Sequence, residues 1–272
     1  MTPEQVESGI AARLRAAGCV YAEEEAALLR QAAAEADDPT ALERLVADRV
    51  AGLPLETLLG WAELDGLRVR VEPGVFVPRR RTAYLVRLAA ADLRPGAVAV
   101  DLCCGSGAVG AALAARVPGA EVHAADLDPA AVACARRNLP ADRVHQGDLY
   151  AALPADLRGR VDVLAVNAPY VPTDAIALMP PEARLHEPAV ALDGGADGLE
   201  VQRRVAARAP SWLAPGGLLL IETSHEQGPG TAALMTAAGL DARVQADPEL
   251  GATVATGRAP GRRTERGNGS DG

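Results

Sequence analysis

The sequence contains no lysine, and all 27 of its basic residues are arginines. That absence excludes a catalytic lysine amine. No apolar run reaches the roughly 18 residues that a membrane span requires, so we predict no membrane partner. Cysteine and histidine are scarce, with four of each, and neither type occurs at the spacing of metal ligands. We therefore expect no metal site, and we expect Cys103 and Cys104 to be small, reduced, apolar side chains.

Positive charge is the next scarcity. The net charge is −9, and the only run of three arginines lies at positions 79–81. An enzyme that acts on duplex DNA usually presents a basic face to the phosphates. The acidic balance of this chain disfavours such a substrate, and we predict no DNA partner.

The N-terminal segment has helical periodicity. Apolar residues recur at helical spacing in "VESGIAARLRAAG", "AEEEAALLRQAAAEA" and "PTALERLVADRVAG", which predicts a small helical domain over residues 1–53. The pattern leaves open whether this domain only packs against the rest or docks a substrate. Its first residues carry early acids and no apolar stretch typical of a signal peptide, so we expect a cytoplasmic protein. A monomer is our default expectation.

A β-hairpin and a linker are predicted over residues 54–80. "LRVRVEP" alternates polar and apolar residues, and the Pro-Gly that follows predicts a turn into a second strand, "VFV". A helix is predicted next, over about 80–93, and Pro95-Gly96 ends it.

Residues 81–257 alternate strands with helices, which predicts an α/β domain with a doubly wound parallel sheet. The first four predicted strands of this domain lie at 97–102, 120–127, 142–149 and 161–167. The last two, near 240–246 and 252–257, have no long helix between them, so we predict an antiparallel hairpin at one edge. The polar, glycine-rich tail over residues 258–272 is predicted to be disordered.

A glycine-rich loop follows the first strand of this domain, in "DLCCGSGAVG". Gly105 and Gly107 allow a ligand to approach the backbone and the start of the next helix. Asp126 ends the second strand about 20 residues later, where a carboxylate can accept two ribose hydroxyls. Asp148 follows the third strand, where an adenine edge would lie, and Asp101 could balance a cationic amine. The spacing also fits a dinucleotide site, so NAD stays open as an alternative.

The fourth strand ends in "NAPY", and the sheet order places it beside the first. The Asn167 side-chain oxygen and the carbonyl of Ala168 can accept the two N–H groups of a planar nitrogen. Pro169 fixes the bend, and the ring of Tyr170 can stack on the planar group. An ordinary turn is the alternative interpretation.

These motifs together resemble the class I S-adenosylmethionine (SAM)-dependent methyltransferases of the protein-(glutamine-N5) type, which modify the Gly-Gly-Gln glutamine of peptide-chain release factors. The resemblance runs from about residue 55 to residue 257. It is carried by "PLETLLG", "GVFVPRRRT", "DLCCGSGAVGAALA", "DLDPAAVACARRN", "QGDL", "VNAPYVP", "HEPAVALDGGADGL" and "LAPGGLLLIE". It implies a Rossmann-like, seven-stranded, mostly parallel sheet, SAM as the cofactor, and an N-terminal domain that helps to dock a protein substrate.

The resemblance also implies roles for individual residues. The Gly105 loop and Asp126 would hold the methionyl and ribose parts of the cofactor, and Asp148 would lie beside its adenine. Phe76 would form a wall against the substrate glutamine with Asn167 and Tyr170, although a core position suits Phe76 equally well. The implied cofactor-binding residues are Asp101, Cys103, Gly105, Gly107, Asp126, Leu127, Asp148, Leu149 and Asn167, and the implied catalytic residues are Asn167, Ala168, Pro169 and Tyr170.

The chain departs from the family pattern at the substrate end. Ala168 replaces the first proline of the usual Asn-Pro-Pro-Tyr, which keeps the backbone carbonyl but loses rigidity. Arg80 and Arg81 replace a proline and an acid, which reverses the local charge. We predict amide methylation with a release factor as the substrate. N-methylation of another protein or small-molecule amide or amine stays open, as does a non-catalytic SAM-binding module, while methylation of adenine in DNA is disfavoured by the acidic body.

Overall fold

The computed structural model describes residues 3–36 and 38–261. Four helices come first and enclose a small apolar core of their own, to which Leu14, Leu29 and Val46 contribute fully buried side chains. The three predicted helices of the N-terminal segment are confirmed, and a short fourth one follows. They are α1 (Pro3–Ala16), α2 (Ala22–Glu35), α3 (Ala41–Val50) and α4 (Leu55–Leu59).

The β-hairpin that follows is formed by β1 (Trp61–Leu64) and β2 (Leu67–Arg70), which pair antiparallel. The prediction that "VFV" pairs with "LRVRVEP" is therefore wrong. Asp65-Gly66 forms the turn, with positive φ at both residues, and Asp-Gly is a preferred two-residue hairpin turn. Val75 and Val77 of "VFV" are buried by packing rather than by strand pairing.

The remainder folds around one seven-stranded sheet. Its strands are β3 (Val98–Leu102), β4 (Glu121–Asp126), β5 (Val144–Gln146), β6 (Val161–Val166), β7 (Leu213–Thr223), β8 (Asp241–Asp247) and β9 (Ala252–Arg258). The helices are α5 (Ala83–Asp92), α6 (Ala108–Arg116), α7 (Pro129–Ala135), α8 (Pro181–His186), α9 (Ala189–Leu192), α10 (Glu200–Arg208) and α11 (Gly228–Ala237). Short 3₁₀ segments are Arg80–Thr82, Ala141–Arg143, Leu149–Ala152, Ala155–Leu157, Thr173–Leu178 and Ala209–Ser211.

The strand order is β5-β4-β3-β6-β7-β9-β8. The first five strands are parallel, and β9 pairs antiparallel with both β7 and β8. The doubly wound sheet and its antiparallel edge hairpin are thus confirmed. Among the described residues, no helix combines the length and the apolar character needed to cross a bilayer.

Alternate side chains of the central strands enter two different cores. On β3, Val98, Val100 and Leu102 pack in the core on one face, and Ala99 packs in the core on the other. Burial on both faces explains why these strands are continuous apolar runs rather than alternating ones.

The predicted disordered tail begins too early. Arg258 is the last residue of β9, where it is paired with Leu218 of β7, and backbone hydrogen bonds at Ala259 and Pro260 continue the contact. The sheet therefore extends into this segment. Residues 262–272 lie outside the described part of the chain.

The sheet order places two loops side by side. Leu102, at the end of β3, is in register with Val166, at the end of β6, and with Ala125 of β4. The chain crosses to opposite sides of the sheet at β3 and β6, which is where open α/β sheets bind ligands. The glycine loop and "NAPY" both start at this point.

Candidate active site

A cavity of about 210 Å³ opens at the carboxyl ends of β3, β4 and β6. Every predicted site residue but one contributes to its lining: Phe76, Asp101, Cys103, Gly105, Asp126, Leu127, Asp148, Leu149, Asn167, Ala168, Pro169 and Tyr170. Gly107 is the exception. It precedes α6 with φ +75°, and a Cβ there would lie 3.0 Å from the Cβ of Ala135, so close packing requires glycine.

The glycine loop is fastened to the end of β4. The Asp126 carboxylate accepts the N–H of Gly105 at 2.8 Å and that of Asp128 at 2.9 Å. Burial raises the pKa of Asp126, and these N–H groups oppose the rise. The loop starts with Cys103 at φ +59°, a conformation that is uncommon outside glycine. Asp126 therefore stabilises the loop and presents a carboxylate to the cavity.

Asp101 is the most deeply buried acid of the cavity. Its exposed fraction is 1%, and its Oδ2 accepts the N–H of Gly110 at 2.8 Å. Burial raises the pKa of this carboxyl to about 8, and the charge of Asp126 adds to the rise. A cationic group in the cavity would favour the ionised form.

Asp148 lines the cavity and forms an ion pair with Arg204 of α10, which also lines it. The sequence predicted Asp148 but gave no signal for its partner. Leu149, with φ +49°, turns the chain away from β5 at this point. Leu127 is 53% exposed, which leaves an apolar surface at the cavity edge.

The "NAPY" loop also lines the cavity. Nδ2 of Asn167 lies 3.5 Å from Oγ1 of Thr82. Within the described chain, no donor reaches Oδ1 of Asn167 or the carbonyl oxygen of Ala168. The Tyr170 hydroxyl accepts a hydrogen bond of 2.6 Å from Arg81. Two acceptors and an aromatic ring thus face one cavity, as a planar N–H donor requires.

The backbone of this loop is held by the segment that follows α9. Val171 donates its N–H to Leu192 and accepts the N–H of Gly194, at 3.0 and 2.8 Å. Gly198 packs so closely that a Cβ would lie 2.4 Å from the Tyr170 carbonyl oxygen. The same oxygen accepts a hydrogen bond from Gln227 at 2.9 Å. The segment "ALDGGADGL" therefore supports the backbone of the "NAPY" loop, which we call the acceptor wall because it carries the hydrogen-bond acceptors of Asn167 and Ala168.

Two arginine–glutamate pairs at the cavity were missed by sequence reasoning. Arg79 donates to both oxygens of Glu187, at 2.7 and 2.6 Å, and its guanidinium lies 4.9 Å from the ring centre of Phe76. Arg81 donates to Glu222 at 3.3 Å. Both glutamates are buried, and a buried carboxylate requires a partner. The available signal was an acid, Glu222, near the end of the apolar strand "LLLIET".

The residues that line the cavity are chemically suited to bind SAM, and the structure alone shows this. A glycine loop with positive φ leaves room at Gly105, where the nearest side-chain atom to a Cβ would be 4.0 Å away on Phe76. Three carboxyl groups, on Asp101, Asp126 and Asp148, line the same cavity. They match a ligand that carries ribose hydroxyls and positive charge.

Comparisons with known proteins agree with this geometry. The methyltransferase small domain family model matches residues 66–239. The release factor glutamine methyltransferase of Streptomyces coelicolor is 42% identical over 190 residues, which cover 68% of this chain and 67% of that protein. That of Cereibacter sphaeroides is 40% identical over 214 residues, 76% of this chain and 74% of that one. A methyltransferase structure from Pyrococcus furiosus, at 18% identity, has a TM-score of 0.54, covers 72% and 90% of the two chains, and supports the fold alone.

Fold, cavity and family match together define a SAM-dependent methyltransferase. The chain belongs to the family of release factor glutamine methyltransferases. The family and the cofactor predicted from the sequence are confirmed.

Proposed function

We propose that this protein methylates the N5 nitrogen of a glutamine side chain, that of the Gly-Gly-Gln segment of peptide-chain release factors, with SAM as the methyl donor. One observation carries the proposal. A single cavity joins the carboxylates of Asp101 and Asp126 to Asn167 and Tyr170. The names of the related proteins support the substrate.

The cofactor end of the cavity is formed by acids and backbone. We propose that Asp126 accepts ribose hydroxyls, that Asp101 balances an amino group, and that Asp148 lies near the adenine. When bound there, SAM supplies an electrophilic methyl group. The glycine loop keeps bulky side chains away from it, because Gly105 has no Cβ.

The acceptor end orients an amide. Asn167 Oδ1 accepts one N–H of the substrate amide and the Ala168 carbonyl accepts the other, while Tyr170 stacks on the amide plane. This grip directs the nitrogen toward the methyl donor. No side chain needs to remove a proton first, because the proton leaves to water once the nitrogen has been alkylated. Orientation and exclusion of water can contribute several kcal/mol.

The arginines at the cavity do not argue for a different substrate. Arg79 and Arg81 are neutralised inside the protein by Glu187 and Glu222. Of the run at 79–81, Arg80 alone is exposed and has no ion pair within the described residues. The reversed charge noted in the sequence is thus paired with an acid at Arg81 and remains exposed at Arg80.

We infer that the N-terminal helices help to dock the protein substrate. Arg49 of α3 lies 3.4 Å from Glu182 of α8, and α8 belongs to the segment between "NAPY" and the supporting glycines. The helical domain is therefore adjacent to the acceptor side of the cavity. Val20 and Tyr21, between α1 and α2, are exposed apolar residues available to a partner.

We further propose that the protein acts as a cytoplasmic monomer and does not act on DNA. The net charge of −9 supports the last point, because phosphates repel an acidic surface. Light scattering of the purified protein tests the monomer, and methyl transfer to duplex DNA tests the substrate class.

The main experiment measures labelled-methyl transfer from SAM to an unmethylated release factor and, separately, to a host lysate, with the labelled residue located by mass spectrometry. We expect label on the Gly-Gly-Gln glutamine. Asn167→Ala should slow transfer about 10²-fold to 10³-fold, as loss of one fixed polar group does in other active sites. Gln245→Ala, which removes an amide on β8 outside the cavity lining, is the matched control.

Label on another amide or amine alone would reassign the substrate. SAM binding without label on any acceptor would overturn the proposed activity in favour of a binding module.

A further inference from the structure

Arg81 connects a buried acid to the aromatic residue of the acceptor wall. Its NH2 group donates to the Tyr170 hydroxyl at 2.6 Å, and its Nε donates to Oε1 of Glu222 at 3.3 Å. In the chain, Arg81 lies 89 positions from Tyr170 and 141 positions from Glu222. Arg81 also lines the cavity.

Glu222 is an unusual anchor for this contact. Its exposed fraction is 1%, and its Oε2 has no hydrogen-bond partner within the described residues. Burial raises the pKa of its carboxyl, and the Thr82 hydroxyl and the Arg81 guanidinium oppose the rise. If the Arg81 guanidinium moved away, this buried carboxylate would lose its ion-pair partner, which is strongly unfavourable. Glu222 therefore holds the Nε end of the Arg81 guanidinium in place, although the Arg81 side chain is 42% exposed.

The same short turn contacts both ends of "NAPY". Arg81 and Thr82 belong to the 3₁₀ segment Arg80–Thr82; Arg81 holds the hydroxyl of Tyr170, and Thr82 lies beside the amide of Asn167. The backbone of Tyr170 is fixed separately, through Gln227. The ring is thus held at its backbone and at its hydroxyl.

We propose that Arg81 is a positioning residue for methyl transfer, which is anchored by Glu222 and fixes the ring of Tyr170 against the substrate amide. This inference rests on the proposed function of the same cavity. It assigns Arg81 no contact with the substrate. Its effect is on the angle and distance at which the amide meets the methyl donor.

The first test compares Arg81→Met, Tyr170→Phe and the double variant with the wild type, at saturating SAM. We expect kcat to fall about tenfold to a hundredfold in each single variant, because small misplacements of a reacting group have effects of that size. The affinity for SAM should stay within about twofold. The double variant should be no slower than the slower single one, because both changes remove the same contact.

Arg81→Lys provides a graded variant, since one ammonium cannot reproduce the two directed contacts of a guanidinium. Its kcat should lie between the wild type and Arg81→Met. Arg116→Met is the control for stability: it removes one of the two arginines that pair with Asp65, outside the cavity lining. It should lower the melting temperature but leave kcat unchanged.

Wild-type kcat in Arg81→Met, or in Tyr170→Phe, would overturn the inference, as would losses that multiply in the double variant. Tyr170→Phe keeps the ring and the backbone contacts, so it tests the inference even if Arg81→Met fails to fold. A wild-type protein that labels no acceptor would contradict the proposed function. An active wild type with an unaffected Arg81→Met would contradict only the role of Arg81.

Discussion

Asp101 and Glu222 are buried carboxyl groups near the carboxyl ends of two strands of the same sheet, β3 and β7. Burying an acid is costly unless it is neutral or has a partner. Glu222 has a guanidinium from Arg81, whereas Asp101 has a single N–H from Gly110. Burial raises the pKa of both. Burying these acids lowers the stability of the fold, and buried acids with raised pKa values are typical of functional sites.

The protonation of Asp101 predicts a pH-dependent stability. Its folded pKa of about 8 lies above its unfolded value near 3.8. Between these values the unfolded chain has released the proton and the folded chain keeps it. The free energy of unfolding therefore falls as pH rises, by up to about 1.4 kcal/mol per pH unit from this group, and the loss ends above the folded pKa.

Asp101→Asn removes this contribution. Urea unfolding of the cofactor-free protein from about pH 5 to pH 8 should give a flatter pH dependence for Asp101→Asn than for the wild type. Asp156→Asn, at an exposed position, is the control and should match the wild type. Parallel curves for the wild type and Asp101→Asn would contradict the prediction.

At the scale of elements, the backbone of the "NAPY" loop is held in place by the segment between α9 and α10. Val171 and Asp193 form a parallel bridge, and Gly194 and Gly198 allow the two backbones to approach. A Cβ on Gly194 would lie 2.8 Å from the Cα of Tyr170. The segment "ALDGGADGL" thus acts through backbone packing.

Gly198→Ala tests that contact. The new Cβ would lie 2.3 Å from Nε2 of Gln227 and 2.4 Å from the Tyr170 carbonyl oxygen. Gly251→Ala is the matched control, because Gly251 also has positive φ but nothing within 4 Å. Both changes should cost about 1–2 kcal/mol from the backbone, and Gly198→Ala should cost about 1–3 kcal/mol more from overlap. Unfolding and kcat should both be measured; equal losses in the two variants would refute the packing argument.

At the scale of the whole molecule, Arg49 connects the N-terminal helices to α8. It donates to Glu25 at 2.6 Å and to the Leu53 carbonyl at 2.9 Å, and it lies 3.4 Å from Glu182 of α8. The side chains of Arg49 and Glu25 are each 10% exposed. Removing the arginine would therefore leave a largely buried acid unpaired.

Arg49→Met should lower the free energy of unfolding by about 3 kcal/mol, because a buried carboxylate then loses its partner. Arg13→Met breaks the exposed pair with Glu43 and should cost less than about 1 kcal/mol. Urea unfolding measures both. Adding Glu25→Leu to Arg49→Met should recover part of the loss, and no recovery would indicate that Arg49 acts through Glu182 or Leu53 instead.

The sequence by itself determined the alternation of strands and helices along the sheet domain and the two loops that line the cavity. Period-two and helical patterns are local, and so is the chemistry of the glycine loop and of "NAPY". Where local signals compete, prediction fails: Pro73-Gly74 was preferred as the hairpin turn over Asp65-Gly66, which forms it. The loop pattern also does not distinguish a glycine that lines the cavity, such as Gly105, from one that packs on α7, such as Gly107.

Only the tertiary structure decided which charges meet. Arg79 finds Glu187 across 108 positions, and Arg81 finds Glu222 across 141. The partner of a buried charge depends on which strand ends and loops converge in space, and no periodicity encodes that. The sheet brings the carboxyl ends of β3, β6 and β7 side by side. An ionised acid that is buried there is stable only if an arginine from a neighbouring loop can reach it.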